Sequence, residues 1–352
     1  MSGRASLTVV IASPLDPALV ERIRDSDPDL EILFDPDLLP TQRYPNDHSG
    51  DPSYERDARH EEQLRAWLSR AEVVFGVPSG GSNALGELVR RAPQLGWVQG
   101  TAAGFGQQVQ KAALDGEVLQ RVTFTSSVGV HAVQLAEWAM LGLLAFTKDL
   151  PRLLRDKESR SWDHYPVREL HGQRLLVVGL GHIGREVSRS ARALGMRVTG
   201  MRRRPEEQDR EVVDDLRPID ELPEVVPQCD AVVLALPGTD ATRGLFSRAL
   251  IEALPSHAIL VNVGRGTTVD EPALVDALQS GRLAGAALDV FAEEPLPQDS
   301  PLWTLENVLI SPHTAALSIK ESERIVDLFV DNLARYRDGR ALRNVVDTEH
   351  FY

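Results

Sequence analysis

The sequence predicts an α/β chain of two doubly wound parallel-sheet domains, and three observations predict it. At 352 residues it is too long for one comfortable core. Its N-terminal third and the stretch from residue 174 to 316 each alternate apolar, strand-length runs with amphipathic segments, the pattern of helices laid on parallel strands. The first run of the second stretch, RLLVV, leads directly into a glycine loop, GLGHIG, and then into a helical segment.

With 42% hydrophobic and 26% charged residues, the chain can bury substantial cores. Its formal net charge of −14 argues against nucleic acid or an anionic membrane as a partner. The longest apolar stretches are of strand length, so no membrane span is expected. The N-terminus, MSGRASLTVVIAS, has no convincing cleavage site. Cys229 is the single cysteine, which excludes an internal disulfide and a cysteine-based metal site. A reducing cytoplasm is the expected location, and no metal is expected.

The first domain reads as four strands: SLTVVIAS, LEILF, AEVVFGV and LGWVQG. Between the second and third lies a long stretch rich in Pro, Asp and turn formers, near residues 36–60, which carries Tyr44, His48 and Tyr54. A mobile surface insertion is the simpler expectation; the other is a cover for the active site or an arm to a partner subunit. Residues 131–150 are apolar on nearly every face and predict a long buried helix stopped by Pro151, linking domains or entering a subunit interface.

The second alternation supplies six strand-like runs: RLLVVGLG, RVTGM, AVVLALPG, AILVNVG, LAGAALDV and NVLISP. Six such runs match the two mononucleotide-binding halves of a Rossmann unit. The unit would end near residue 316, leaving the amphipathic run SIKESERIVDLFVDNLARYRDG to return to the first domain. The expected division is a substrate domain of residues 1–120 with 317–352, and a dinucleotide-binding domain of residues 121–316. The chain stops soon after that last helix, so no C-terminal regulatory domain is expected.

Within GLGHIG, Gly179 permits a tight turn, Gly181 lets pyrophosphate approach the backbone, and Gly184 lets the helix pack on the strand. The phosphates then meet free N–H groups at the helix N-terminus. Eighteen residues past Gly184, Arg202 holds the position where an acidic residue usually meets the adenosine ribose. A guanidinium there suits a 2′-phosphate, so Arg202 with Arg203 or Arg204 predicts a preference for NADP, NAD being the alternative cofactor. The competing reading is a solvated basic cluster paired with Glu206 and Glu207.

Downstream, VNVGRGTTVDEPAL, GAALDVFAEEPLP and SPHTA each place a titratable residue beside the end of an expected strand. With LGWVQGTAAG, LHGQRLLVVGLGHIG, LPGTDATRGLF and LRNVVD, these motifs resemble the D-isomer-specific 2-hydroxyacid dehydrogenases, the family of phosphoglycerate dehydrogenase and glyoxylate/hydroxypyruvate reductase. Residues 1–70 match only loosely. The resemblance implies a smaller flavodoxin-like substrate domain beside the Rossmann domain, and a catalytic set of Arg265, Glu294 and His313. Arg265 would bind the substrate carboxylate and polarise its carbonyl. His313 would exchange the proton, with Glu294 orienting the imidazole and stabilising its charged form. Asp289 would sit near the nicotinamide, and His182, Ile183, Pro237, Thr242 and Val263 would complete the cofactor contacts. Taken singly, His313 could be a packed loop histidine, Arg265 and Asp289 a structural ion pair, and Glu294 part of a solvated turn.

The turn TAAGFG resembles the family loop whose backbone N–H groups hold the substrate carboxylate, which makes Ala102, Ala103 and Gly104 candidates. VPSGG, from Val77, resembles the second substrate-facing loop. Family members usually carry Asp, Glu or Asn where this chain has Gly106, which questions the rigidity of the first loop. Neither loop contains Arg or Lys, so a phosphorylated substrate is disfavoured.

The expected activity is therefore hydride transfer between NADP(H) and a small 2-hydroxy or 2-oxo acid, in the manner of a glyoxylate/hydroxypyruvate reductase, by a homodimer. The alternative is a dinucleotide-sensing, corepressor-like interaction protein on the same fold, which a peptide-binding groove in the first domain would favour. Carbonyl reduction by a Tyr/Lys pair is weaker, since no YxxxK occurs.

Overall fold

The structure is a computed structural model that describes residues 5–78, 83–349 and 351. The chain forms two compact units, Met1–His131 with Leu317–Tyr352, and Ala132–Ala316.

In the first unit, strands β1 (Leu7–Ile11), β2 (Leu30–Leu33), β3 (Val73–Phe75), β4 (Trp97–Gln99) and β5 (Thr123–Thr125) form a parallel sheet in the order β2-β1-β3-β4-β5. This is the flavodoxin-like order, with its reversal between β1 and β3. Helices α1 (Pro17–Arg24), α2 (Ala58–Leu68), α3 (Ala84–Arg91), α4 (Phe105–Lys111) and α5 (Gly116–Arg121) make the crossovers. Asp16, Asp57 and Asp115 cap α1, α2 and α5 by accepting from backbone N–H groups of their first turns.

The fifth strand, TFT, was not among the expected ones and moves the boundary. Its three residues are too few and too polar to read as a run, yet they pair with β4 and are largely buried. The first unit therefore extends past residue 120 to His131.

The stretch near 36–60 is not a free insertion, because one buried carboxylate organises it. Asp47 accepts from Arg43 Nε at 2.7 Å and from the backbone N–H groups of Arg43, Ser49 and Gly50. The Arg43 guanidinium holds the Asp47 carboxyl down at about 2, so the clamp stays charged throughout the neutral range. Asn46 Nδ2 donates to Ser318 O at 2.7 Å, and Tyr54 donates its hydroxyl to Asp37 O at 2.8 Å. His48 is packed in the same fold of chain, where burial pushes its pKa down.

The second unit opens with α6 (Ala132–Thr147) and α7 (Leu150–Ser159). Pro151 does not stop the long apolar helix. That helix ends at Thr147, Asp149 turns the chain at φ 52, and Pro151 falls in the first turn of α7, where its missing N–H is harmless. A Cβ on Gly142 would lie 2.5 Å from the Ala287 Cβ, so α6 packs closely on the sheet.

The sheet comprises β6 (Arg174–Val178), β7 (Arg197–Arg202), β8 (Asp215–Pro218), β9 (Ala231–Leu234), β10 (Ile259–Asn262), β11 (Gly285–Leu288) and β12 (Val308–Ile310). Helices α8 (His182–Ala193), α9 (Leu222–Val225), α10 (Arg248–Ala253) and α11 (Glu271–Gln279) connect them. All pairs are parallel, in the order β12-β11-β10-β9-β6-β7-β8, so the chain reverses direction across the sheet between β6 and β9. Seven strands replace the expected six. The extra one, β8, is the edge strand DLRP, half exposed and charged, as edge strands are where they resist further pairing.

The final helix, α12 (Glu321–Arg337), packs in the first unit, where Phe329 stacks against Phe75 and Trp97 with ring centroids 5.0 and 4.9 Å apart. Cys229 lies in the core of the second unit, and burial pushes its thiol up to about 12. Among the described residues no helix is long and apolar enough to cross a membrane, and no group of His, Cys, Asp and Glu side chains could hold a metal ion.

If Asp47 clamps its loop as the bonds indicate, Asp47→Ala should speed hydrogen exchange at the Arg43, Ser49 and Gly50 amides by tenfold or more. Exchange in β1 should stay slow, as read by mass spectrometry.

Candidate active site

In open α/β sheets ligands collect beyond the carboxyl ends of the strands, at the point where strand order reverses. In the second unit the glycine loop follows β6, Arg202 ends β7, Pro237 follows β9, Arg265 follows β10, Asp289 follows β11 and His313 follows β12. The parallel pairing therefore brings all these positions to one end of one sheet.

The glycine loop is shaped as a diphosphate cradle. Gly179 has φ 100, and a Cβ there would lie 2.6 Å from Ala235 O across the reversal point. A Cβ on Gly184 would lie 1.8 Å from Gly179 O, so only glycine lets α8 approach the strand. A Cβ on Gly181 would meet nothing within 4 Å, which leaves open space beside that backbone. Gly181 offers α8 no side-chain cap, so its first-turn N–H groups are left for an anion. These features fit a dinucleotide diphosphate. His182, on the first turn of α8, has its pKa lowered by partial desolvation of the ring against the protein and by the nearby Arg185 charge.

At the end of β7 the three arginines divide. Arg202 is ion-paired, through Nη1 to Asp209 Oδ2 at 3.0 Å and through Nη2 to Glu206 Oε1 at 2.8 Å. Arg203 and Arg204 are exposed and form no ion pair among the described residues. The basic cluster is thus paired in part, with Asp209 and Glu206 as partners, while Glu207 pairs with Arg210.

Thr242 folds the PGTD turn by donating to Pro237 O at 2.6 Å and accepting from Thr239 N at 2.9 Å. The Val263 side chain is buried in the core. Arg265 follows at once, its carbonyl accepting from Asn262 Nδ2 at 3.1 Å and Thr268 Oγ1 at 2.7 Å. Its guanidinium donates to Gly264 O and forms no ion pair among the described residues. Asp289 is therefore not its partner.

Asp289 is buried, and its Oδ1 accepts from Ser311 Oγ at 2.7 Å and from Ala315 N at 2.9 Å. Its carbonyl also accepts from His313 N at 2.9 Å. This anchoring lets His313 adopt φ 55, a left-handed conformation that a histidine holds only when its surroundings impose it. The ring is half-exposed, and His313 Nδ1 lies 2.7 Å from Glu294 Oε2. Glu294 Oε1 in turn accepts from Phe291 N at 3.0 Å. The loop of Arg265 joins this chain of contacts, since a Cβ on Gly266 would lie 1.9 Å from the Phe291 carbonyl carbon. His313 is therefore no packed loop histidine. Its Nε2 makes no hydrogen bond among the described residues and is left to exchange a proton.

A cavity of about 470 Å³ adjoins the pair, lined by Phe291, Glu294, Pro295, Leu296, Trp303, Ile310, Pro312 and His313. The Trp303 ring is fixed by its Nε1 donating to Pro297 O at 2.9 Å.

In the first unit, the N–H groups of Ala102, Ala103 and Gly104 have no acceptor among the described residues. Gly106 sits buried in the first turn of α4, so no polar side chain steadies the loop from that position. Rigidity comes instead from Phe105 packed beneath Gly100, and from Gln99, which donates to Gly100 O at 2.9 Å. Ser127 adds a bond to Gly100 O at 2.9 Å. Thr125 Oγ1 donates to Gln99 Oε1 at 2.9 Å. Gln99, Thr125 and Ser127 escape sequence reading because each looks like an ordinary strand or turn residue. Val77 is half-buried after β3; residues 79–81 of its loop lie outside the described residues.

Residues 140–315 match the family described as "D-isomer specific 2-hydroxyacid dehydrogenase, NAD binding domain". A glyoxylate reductase of Korarchaeum cryptofilum is 32% identical over 273 residues, covering 75% of this chain and 79% of that protein. A D-3-phosphoglycerate dehydrogenase of Methanocaldococcus jannaschii is 31% identical over 81% of this chain, which spans only 53% of that protein. Among solved structures, an NADPH-dependent glyoxylate/hydroxypyruvate reductase of Sinorhizobium meliloti, in complex with NADP and sulfate, superposes with a TM-score of 0.74. That match is 25% identical and covers 99% of this chain and all of the other. The chain belongs to the D-isomer specific 2-hydroxyacid dehydrogenase family, whose members are nicotinamide-dependent oxidoreductases acting on CH–OH donors.

Because Asp289 anchors the His313 loop, Asp289→Ala leaves the buried Ala315 N–H without its acceptor and Ser311 Oγ with Thr314 Oγ1 as its remaining partner. It should cost about 2–4 kcal/mol in denaturant unfolding, against under about 1 kcal/mol for the exposed Asp240→Ala.

Proposed function

We propose that this protein is an NADP(H)-preferring reductase of small 2-oxo acids, with glyoxylate and hydroxypyruvate as the first substrates to test. The observation that carries the reading is the 2.7 Å contact of His313 with Glu294, in one chain of contacts with the loop of Arg265, whose guanidinium forms no ion pair among the described residues. Bound NADPH supplies the hydride. Arg265 binds the substrate carboxylate and draws electron density from the carbonyl through its fork of donors. His313 delivers a proton from Nε2 to the carbonyl oxygen, and Glu294, on Nδ1, keeps the ring oriented and balances its charge. The free N–H groups of Ala102, Ala103 and Gly104 support an acid as substrate.

For the cofactor, the glycine loop with His182 and Ile183 takes the diphosphate, and Arg203, backed by Arg202, takes the 2′-phosphate. Pro237, Thr242, Val263 and Asp289 line the remainder of the dinucleotide site. The names of relatives support glyoxylate, while the cavity beside Trp303 argues for including larger, apolar 2-oxo acids.

The test is a panel of 2-oxo acids, each assayed with NADPH and NADH. Turnover is expected with at least one acid, at a kcat/KM at least tenfold higher with NADPH. His313→Asn should lower kcat by about 10²–10⁴-fold while melting near wild type, since Asn tolerates the left-handed backbone. A folded, dinucleotide-binding protein that turns over no acid in the panel overturns the reading.

We also propose a homodimer. Val133 and Leu141 on α6 and Leu153 and Leu154 on α7 are 40–57% exposed, an apolar surface of the kind that subunit contacts cover. Light scattering should give about twice the chain's 38.8 kDa; a monomer across the micromolar range sinks the proposal.

A further inference from the structure

Charges crowd together where β7 ends. Glu207 there is paired with Arg210, while Arg202, Arg203 and Arg204, with Arg185 on α8, stand near Glu206 and Asp209. The two carboxylates differ in kind. Asp209 is fully buried and takes three donors: Arg185 Nη1 at 2.7 Å, Arg202 Nη1 at 3.0 Å and Glu206 N at 3.1 Å. Removing it would take the buried carboxylate from Arg185 and leave Arg202 with Glu206 alone, so it is a permanent part of the fold. Glu206 is 44% exposed and meets the other end of the Arg202 guanidinium at 2.8 Å. It also caps the short 3-10 turn Glu207–Glu211. Because water can replace its contact with Arg202, that contact is exchangeable.

We propose that Glu206 is a specificity-determining residue of the cofactor site, an intramolecular anion that holds the outer edge of Arg202 and that a 2′-phosphate must displace. The inference rests on the NADP(H) reading above. A guanidinium edge pairs with a carboxylate or a phosphate, but not with both at once. A 2′-phosphate, with a charge of about −1.5 to −2 by analogy with other phosphomonoesters, is the stronger partner, yet it must first release Glu206 and then remain near it. A cofactor with a free 2′-hydroxyl meets no such cost, since a carboxylate accepts readily from a hydroxyl. Glu206 therefore narrows the advantage of NADPH over NADH. Asp209 holds Arg202 in place while the exchange occurs.

The experiment is titration of NADPH and of NADH, separately, into wild type, Glu206→Gln, Glu206→Ala and Arg203→Asp, with a thermal melt of each. Glutamine keeps an acceptor for the turn that Glu206 caps, so Glu206→Gln should fold as wild type does; alanine removes any residual bond to Arg202. Both Glu206 variants should bind NADPH about two- to fivefold more tightly, the size of an exposed ion pair, and NADH no more tightly. The gain should shrink as salt is raised. If NADPH binding is unchanged or weaker in both variants, or if both cofactors gain equally, the proposal is overturned. Arg203→Asp separates the two levels. Weaker NADPH binding there, with inert Glu206 variants, removes only the role of Glu206. An Arg203→Asp protein that binds NADPH as wild type does removes the cofactor reading, and this inference with it.

Discussion

The candidate site depends above all on one buried carboxylate. Asp289 stands just past β11, where a free charge would be costly, and it is made tolerable by donors from the neighbouring loop. Those donors, Ser311 and Ala315, bracket His313 and force the chain between them into a tight left-handed turn. The histidine is presented by that turn rather than by its own preference. Glu294 then fixes the ring, and Glu294 is itself fixed by Phe291 N. Each bond is ordinary; the ordering comes from their being linked in series.

The same end of the sheet also explains how an acidic chain presents cations. Arg265 is held by its backbone, through Asn262 and Thr268, so its side chain needs no carboxylate to stay in place. Arg202 is held in the opposite way, by two carboxylates. An arginine held by backbone bonds keeps its full charge for a ligand, whereas one held by carboxylates spends part of it on them. The overall charge of −14 therefore says little about the potential at the site.

Much of this was legible in the sequence, and the parts that were not share a cause. Runs such as LLVV and AVVL read as strands because both faces of a parallel sheet are buried, which demands continuous apolar sequence. The strands that went unread, TFT and DLRP, are the short edge strands β5 and β8, whose polar residues break the apolar run, largely buried in β5 and half exposed in β8. Pro151 was visible, but whether a proline ends one helix or begins the next depends on a turn at Asp149 that no pattern announces. The loop around Asp47 looked unstructured because its order comes from a single buried charge rather than from periodicity.

By itself the sequence determined the fold class, the glycine loop and the set of titratable residues at the strand ends, because each follows from local spacing along one chain. Only the tertiary structure decided which groups meet. It joined His313 to Glu294 and tied Arg202 to Asp209, while leaving Arg265 and Arg203 without a carboxylate among the described residues. Spacing along a chain sets which side chains can reach one end of a sheet. Hydrogen bonding there is a competition among all of them at once, and it is resolved only when the chain has closed.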